Sequence, residues 1–229
     1  MPEHKIAPVA YIHTDLKEKF GIPRQSGLVG ELEARIVFVP EYRNPDALRG
    51  IEGFSRLWLL FDFSEAHRDE WSPTVRPPRL GGNERVGVFA SRSPFRPNNI
   101  GLSCVVLDRV EHTDDDGDVL IVKGVDLLDM TPIYDIKPYL PYADSYPDAR
   151  AGYTDERERV RLEVEYSDEA ISVVPENKRA ALIGCIAEDP RPSYQKDETR
   201  VYSMRFAGFD VHFTVSGKCA RITSIDVEK

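Results

Sequence analysis

Six short runs rich in Val, Ile, Leu and Phe mark the first half of the chain, at residues 6–13, 34–39, 57–63, 86–90, 103–110 and 119–125. Each is bounded by Gly, Pro, Asn or Asp, which interrupt regular pairing, so each is expected to be a strand. Between them no helical period exceeds about two turns, apart from a short helix expected at 46–50. The first 145 residues therefore read as mainly β. Closing such strands into a ring is the economical way to leave no exposed edge. The turn Asp115-Asp116-Gly117-Asp118 is expected to form a hairpin, because glycine takes positive φ without steric cost.

The pattern changes at 131–147, which holds four prolines and four tyrosines. Proline has no N–H to donate, so an extended surface segment is expected there rather than a central strand. Further on, 175–187 reads as a helix with Ala180, Ile183, Ala187, Leu182 and Ile186 on one side, and Glu176, Asn177, Lys178 and Arg179 in its first turn. Strands are expected at 201–204, 209–215 and 219–227, the last two joined by Ser216-Gly217-Lys218. The expected fold is mainly β: a small N-terminal β-barrel over 1–147, followed by a small α+β C-terminal domain over 148–229.

Composition adds little to the fold but narrows the setting. Of the 229 residues 41% are hydrophobic and 30% charged, and no apolar run approaches the roughly 18 residues of a membrane span. A soluble chain without membrane contact is expected. Cys104, Cys185 and Cys219 lie far apart among apolar neighbours, and no secretory signal is visible at the N-terminus. Buried thiols and a cytoplasmic protein are expected.

A net charge of −9 speaks against a protein that coats nucleic acid through bulk electrostatics. Residues 68–96 run against that balance, with six arginines and three acids, while acids concentrate at 114–118 and 155–169. This segregation suits either one anionic ligand at one place or a merely solvated arginine-rich loop.

The strongest local feature is SRSPFRPNNIGLS at 91–103. Its prolines fix φ at two places, so the loop can hold Arg92 and Arg96 in set directions, and arginine offers a planar fork of donors to carboxylate or phosphate. The alternative is a rigid connection with solvated arginines. A second cluster, GIPRQSG at 21–27, again sets proline beside arginine and an amide. A third, Asp126-Leu127-Leu128-Asp129, ends a strand with two carboxylates, which either accept hydroxyl or ammonium groups of a ligand or cap the turn. Phosphate-binding GxxxxGK[ST], dinucleotide-binding GxGxxG, the hydrolase GxSxG and paired metal-binding histidines are all missing, as is the strand–helix alternation of a doubly wound sheet.

Together with WSPTVRPPRLGG at 71–82 and DLLDMTPIYDIKPYLPYADS at 126–145, these runs resemble the TsaA-like family, closest to its TrmO group of tRNA N6-threonylcarbamoyladenosine methyltransferases. AEDPRPSY at 187–194 resembles the DPRPxY element of that group's C-terminal domain. The resemblance implies a TsaA-like barrel methyltransferase that works as a homodimer. Its cofactor would be S-adenosyl-L-methionine, and its partner a tRNA carrying threonylcarbamoyladenosine beside the anticodon.

Matched position by position, the cofactor contacts fall on Pro23, Arg24, Gln25, Ser64, Glu65, Arg92, Leu102, Asp126, Leu127, Leu128 and Asp129. Arg96 is expected to orient cofactor and nucleotide, Lys137 and Tyr139 to border the acceptor base, and Arg191, Tyr194, Lys196 and Arg200 to meet tRNA. No metal is expected. The chain departs from the family pattern at Ser64-Glu65, where histidine followed by Gln or Glu is common, at Asn99 in place of proline, and at Met130 in place of glycine. Two other functions fit the same residues: a non-catalytic module that binds S-adenosylmethionine or RNA, and a methyltransferase with another acceptor.

Overall fold

The structure is a computed structural model that describes residues 4–77, 80, 84–155, 159–192, 195 and 197–228. Its first part contains β1 (Ala10–His13), β2 (Glu33–Phe38), β3 (Arg56–Asp62), a short pair β4 (Thr74–Val75) and β5 (Val86–Gly87), then β6 (Ile100–Thr113), β7 (Gly117–Lys123) and β8 (Thr131–Pro138). Six of these close into a barrel in the order β1-β2-β7-β6-β3-β8, each strand antiparallel to both neighbours. Alternation fills it: Leu57, Leu59 and Phe61 of β3, Val105 and Leu107 of β6, and Ile12, Ile36 and Ile133 are all buried. The β6–β7 hairpin turns at Gly117, whose φ is +67°.

Three expectations need correction here. The proline-rich stretch is not a surface segment throughout, because β8 pairs with β1 on one side and β3 on the other. Pro132 and Pro138 lie near its ends, where a missing N–H disturbs the ladder least, and Thr131 and Ile133 carry its buried face. In the run at 86–90 only Val86–Gly87 pairs, and Val88–Ala90 turns away as one 3-10 turn. The short helix at 46–50 is likewise a 3-10 turn, Pro45–Leu48, capped by the Asn44 side chain.

A short α1 (Pro141–Asp144), tied to β3 by the Trp58 ring N–H donating to Asp144, closes the first part; the second comprises β9 (Glu163–Glu165), α2 (Asp168–Ser172), α3 (Glu176–Ala187), β10 (Tyr202–Phe206), β11 (Phe209–Ser216) and β12 (Cys219–Val227). Its sheet runs β10-β11-β12-β9, with β9 parallel to β12. The buried face of α3 differs from the expected one: Ala181, Leu182, Gly184, Cys185, Ile186 and Ala187 are covered, while Ala180 is exposed. Packing against both the sheet and the barrel widens the covered stripe beyond a single face.

One hydrophobic core runs through both parts, and the loop between β1 and β2 carries it across. Phe20 of that loop stacks on Tyr202 and Phe213, each with ring centroids 6.3 Å apart. Gly21 has φ +98° and touches Met204 so closely that a Cβ would lie 2.3 Å from its sulfur. Lys178 pairs with Asp15 at 2.5 Å, and the Arg205 N–H donates to Glu18. The second sheet therefore holds in place the segment that leads into GIPRQSG. Among the described residues, no helix is long and apolar enough to cross a membrane.

Candidate functional site

At one rim of the barrel the turn at 21–27, the segment after β3, the loop into β6 and the turn between β7 and β8 enclose a cleft of about 470 Å³. Its lining is mostly apolar. Phe61 and Phe63 meet edge to face at 4.9 Å, and Gly101 lies against the Phe61 ring, where a Cβ would sit 2.2 Å from the nearest carbon. Only glycine lets β6 approach that ring.

Several polar groups of the cleft are held by partners. Ser103 Oγ donates to Asp126 Oδ1 at 2.6 Å. Burial pushes the Asp126 pKa up to about 6, against the Ser103 hydrogen bond, backbone N–H groups including that of Ser26, and the positive charge of Arg92. Arg92 is exposed and donates to Gln25 Oε1, which links the loop into β6 to the turn at 21–27. Lys19 reaches Glu65 through both its backbone oxygen, at 2.8 Å, and its carboxylate, at 3.3 Å.

All the residues expected at the cofactor line this cleft except Asp129. That carboxylate accepts from the Thr14 N–H at 2.9 Å and pairs with Lys17 at 2.5 Å, so it ties the end of β1 to the β7–β8 turn. Next to it Met130 takes φ +61°, a conformation that favours glycine.

Arg96 lines the cleft, but its guanidinium donates to Ser91 O at 2.8 Å, Ser93 O at 3.3 Å and Val88 O at 3.4 Å. It staples the loop. Asn99 does the same from the other side, donating to Pro94 O at 2.7 Å and Ala66 O at 3.3 Å, and so supplies rigidity where the family pattern has proline.

Lys137 and Tyr139 are not brought to the cleft. Lys137 is paired with Trp58 in register and ion-pairs with Asp135 at 2.8 Å, and the Tyr139 ring packs on Trp58 with centroids 5.8 Å apart. They sit by the start of β3, whereas the cleft is at its end; six residues of strand from Thr131 carry β8 roughly 20 Å away.

Arg191 is mostly buried, with 13% of its side chain exposed, and holds Asp189 through Nε at 2.7 Å and Nη2 at 2.9 Å. Its backbone oxygen accepts from Arg24 at 3.3 Å. Arg200 is exposed and lies 5.5 Å from the centre of the Tyr202 ring. Tyr194 and Lys196 lie outside the described residues.

A smaller hollow of about 230 Å³ adjoins the cleft at the junction of the two parts and shares Lys19, Ile22 and Arg24 with it. Its acids are already paired, Asp189 with Arg191 and Glu188 with Arg159 and Arg161. Cys185 forms part of its wall, with burial pushing the thiol up to about 12, so it is inert at neutral pH. Among the described residues no cluster of His, Cys, Asp or Glu is arranged to hold a metal.

Phe61 and Lys19 lie outside the motifs read from the sequence, whereas Gly101 and Ser103 belong to the run at 91–103 but carry no individual role in that reading. A glycine and a serine inside an otherwise apolar strand were the visible signal for two of them, since buried serine needs a partner.

The family model of the tRNA-methyltransferase O N-terminal domain matches residues 11–145, and that of the TrmO C-terminal domain matches residues 159–228. The chain is 41% identical to a tRNA (adenine(37)-N6)-methyltransferase of Escherichia coli, over 94% of this chain and 95% of that protein. It is 43% identical to a putative S-adenosylmethionine-dependent methyltransferase, RcsF, of Pseudomonas aeruginosa, over 92% of each. A crystal structure of TrmO from P. aeruginosa superposes with a TM-score of 0.80 at 34% identity, covering 99% of this chain and 98% of that one.

Proposed function

The chain belongs to the tRNA-methyltransferase O family and is an S-adenosylmethionine-dependent methyltransferase acting on N6 of adenine 37 of tRNA; we propose that the rim cleft is its reaction centre and that the acceptor adenosine carries a threonylcarbamoyl group. The observation that carries the assignment of the centre is the convergence of Arg92, Gln25 and Asp126, from three separate segments, on one mostly apolar hollow.

The residues present fit the cofactor. S-adenosylmethionine joins a flat apolar ring to a sulfonium cation and an amino-acid end, and the cleft offers apolar walls, one constrained carboxylate and an arginine fork. When bound, the cofactor supplies an electrophilic methyl group on positively charged sulfur. In this reading Pro23, Leu102, Leu127 and Leu128 form the apolar walls. Arg92 and Gln25, already joined, hold a carboxylate or hydroxyl between two loops. Ser64 and Glu65 close the side next to Lys19.

Asp126 has two roles. Ionised above about pH 6, it complements the donor's positive charge; its raised affinity for a proton also suits it to receive the one that N6 releases. Methyl transfer is an in-line displacement governed by positioning, and the stapled loop with Arg96 and Asn99 provides that rigidity.

What supports the threonylcarbamoyl acceptor is the adjoining hollow. Its shared Arg24, with Lys19 held beside Glu65, offers donors to a group that ends in a carboxylate. The C-terminal part holds these residues in place and offers Arg200 to tRNA phosphate, with Tyr194 and Lys196 beside it in sequence. A division of labour between 1–147 and 148–229, a homodimer and a cytoplasmic setting complete the proposal; sedimentation tests the dimer.

The experiment is methyl transfer to tRNA with and without the threonylcarbamoyl group, read by nucleoside mass spectrometry. Methylated threonylcarbamoyladenosine is expected. Cofactor binding without turnover would mark a non-catalytic module.

A further inference from the structure

The segment between β3 and β6 carries two rings, Trp71 and Phe89, that do not line the cleft. β4 and β5 form a two-stranded ribbon, in which Thr74 pairs with Gly87 and Val75 with Val86, and the Val88 N–H donates to Pro73 O at 2.9 Å. This ladder brings Trp71 and Phe89 together, their centroids 6.4 Å apart and their planes inclined at 36°. Both face solvent: Trp71 is 53% exposed and Phe89 75%. Burying rings of this size is favourable, so their exposure needs an explanation.

Two rings of the group, Phe95 and Phe89, lie close to a guanidinium. Arg68 sits 3.7 Å from the centre of the Phe95 ring, and Arg96 lies 6.0 Å from that of Phe89. Phe95 and Arg96 also line the cleft, so the ribbon of rings and arginines is continuous with the reaction centre.

We propose that Trp71, Phe89 and the Arg68–Phe95 pair form a stacking platform for an unpaired RNA base next to the acceptor adenosine. This deepens the function proposed above and rests on it. Sequence-tolerant stacking on aromatic faces and guanidinium planes is how proteins hold splayed single-stranded bases, and a methylated loop adenosine has to be drawn away from its neighbours to enter a cleft. Charge favours the same occupant: this stretch is rich in arginine in a chain whose net charge is −9, so it is the place where a polyanion is attracted. A second copy of the chain is the other partner that exposed rings suit, but seated here it would cover the mouth through which the tRNA loop reaches the cleft.

The test uses the full chain, an anticodon stem-loop RNA carrying threonylcarbamoyladenosine, and the same RNA with an abasic nucleotide beside that position. Phe89→Ala and Trp71→Ala are expected to weaken RNA binding about ten-fold or more and raise KM for RNA, with S-adenosylmethionine affinity unchanged. Phe89→Tyr restores binding, and on the abasic RNA the alanine variants lose little further affinity. Because both rings are exposed, the variants fold, as their unchanged cofactor affinity will verify.

Variants that bind the RNA as the wild type does overturn the platform, as does loss of self-association with RNA affinity intact, which would assign the rings to a second copy. A wild-type protein that fails to methylate this RNA overturns the functional reading itself, a result distinct from insensitive variants of an active enzyme.

Discussion

Ser103 Oγ donates to Oδ1 of Asp126 at 2.6 Å and so joins β6 to the turn after β7 at the cleft. Burial raises the carboxyl above its ordinary value of 3.8 to about 6, so the folded protein holds the proton more tightly than the unfolded chain does. The stability this contributes is complete below about pH 4 and is lost as pH rises through about 6, a cost of up to about 3 kcal/mol at neutral pH. Asp126→Asn, which keeps an acceptor for Ser103, is expected to raise the melting temperature at pH 8, with the gain shrinking as pH falls toward 4. The same variant loses cofactor affinity, and wild-type affinity declines below about pH 6. Melting curves and calorimetry at stepped pH check both; a pH-independent difference in melting temperature would contradict the assignment.

Gly101 and Phe61 make the tightest fit in the site. Gly101→Ala places a methyl group 2.2 Å from the Phe61 ring, so the ring must move. A loss of about 1–3 kcal/mol is expected in chemical denaturation, together with weaker cofactor binding. Adding Phe61→Leu should recover much of the stability. An unaltered midpoint for the single variant would show that the ring is loosely held.

Met130 occupies a left-handed position with φ +61°, its N–H bonded to Ile12 O at 2.8 Å, where the family pattern has glycine. Removing the side chain relieves about 1–2 kcal/mol of backbone strain and adds a smaller entropic cost. Met130→Gly is therefore expected to stabilise the protein by about 0.5–1 kcal/mol, and Met130→Ala to give no such gain. Denaturant midpoints of the two variants distinguish strain relief from loss of the side chain itself.

Arg191 and Arg200 separate structure from recognition. Arg191 is committed to Asp189 and faces Arg24 through its backbone, so Arg191→Ala should lower stability by about 1 kcal/mol or more by leaving Asp189 unpaired. Arg200 is exposed, and Arg200→Ala should leave the melting temperature nearly unchanged while weakening tRNA binding. Thermal melts paired with filter binding test the distinction, and matching losses of stability from both variants would remove it.

Much of the barrel was legible because its strands are apolar runs bounded by glycine, proline or acids: β3 alternates and ends at Asp62, and β7 is a continuous apolar run between Gly117 and Gly124. The cleft was legible wherever motif residues come from turns at one rim, as with Arg24, Arg92 and Asp126. What sequence could not supply was distance along a strand. Lys137 and Tyr139 stand a few residues from Asp126 to Thr131, yet β8 carries them to the other end of the barrel wall. Proline composition also misled, since Pro132 and Pro138 stand in register within β8, opposite Tyr11 and Leu57, close to its two ends. Asp129 and Arg191 carry charges that suit a ligand, but each is consumed by a contact from another segment or a neighbour, Lys17 with Thr14 and Asp189 respectively. Such pairing depends on side-chain geometry that composition does not reveal.

The account turns on Arg92 and Asp126 serving one reaction in one hollow. Its most direct test is single-turnover methyl transfer to tRNA bearing threonylcarbamoyladenosine, comparing wild type, Arg92→Ala and Asp126→Ala at saturating tRNA, with product read by nucleoside mass spectrometry. The expected result is an N6-methylated threonylcarbamoyladenosine from the wild type, and a rate at least about ten-fold lower at fixed cofactor concentration from either variant. Wild-type rates from both variants, or equal methylation of tRNA without the threonylcarbamoyl group, would contradict it.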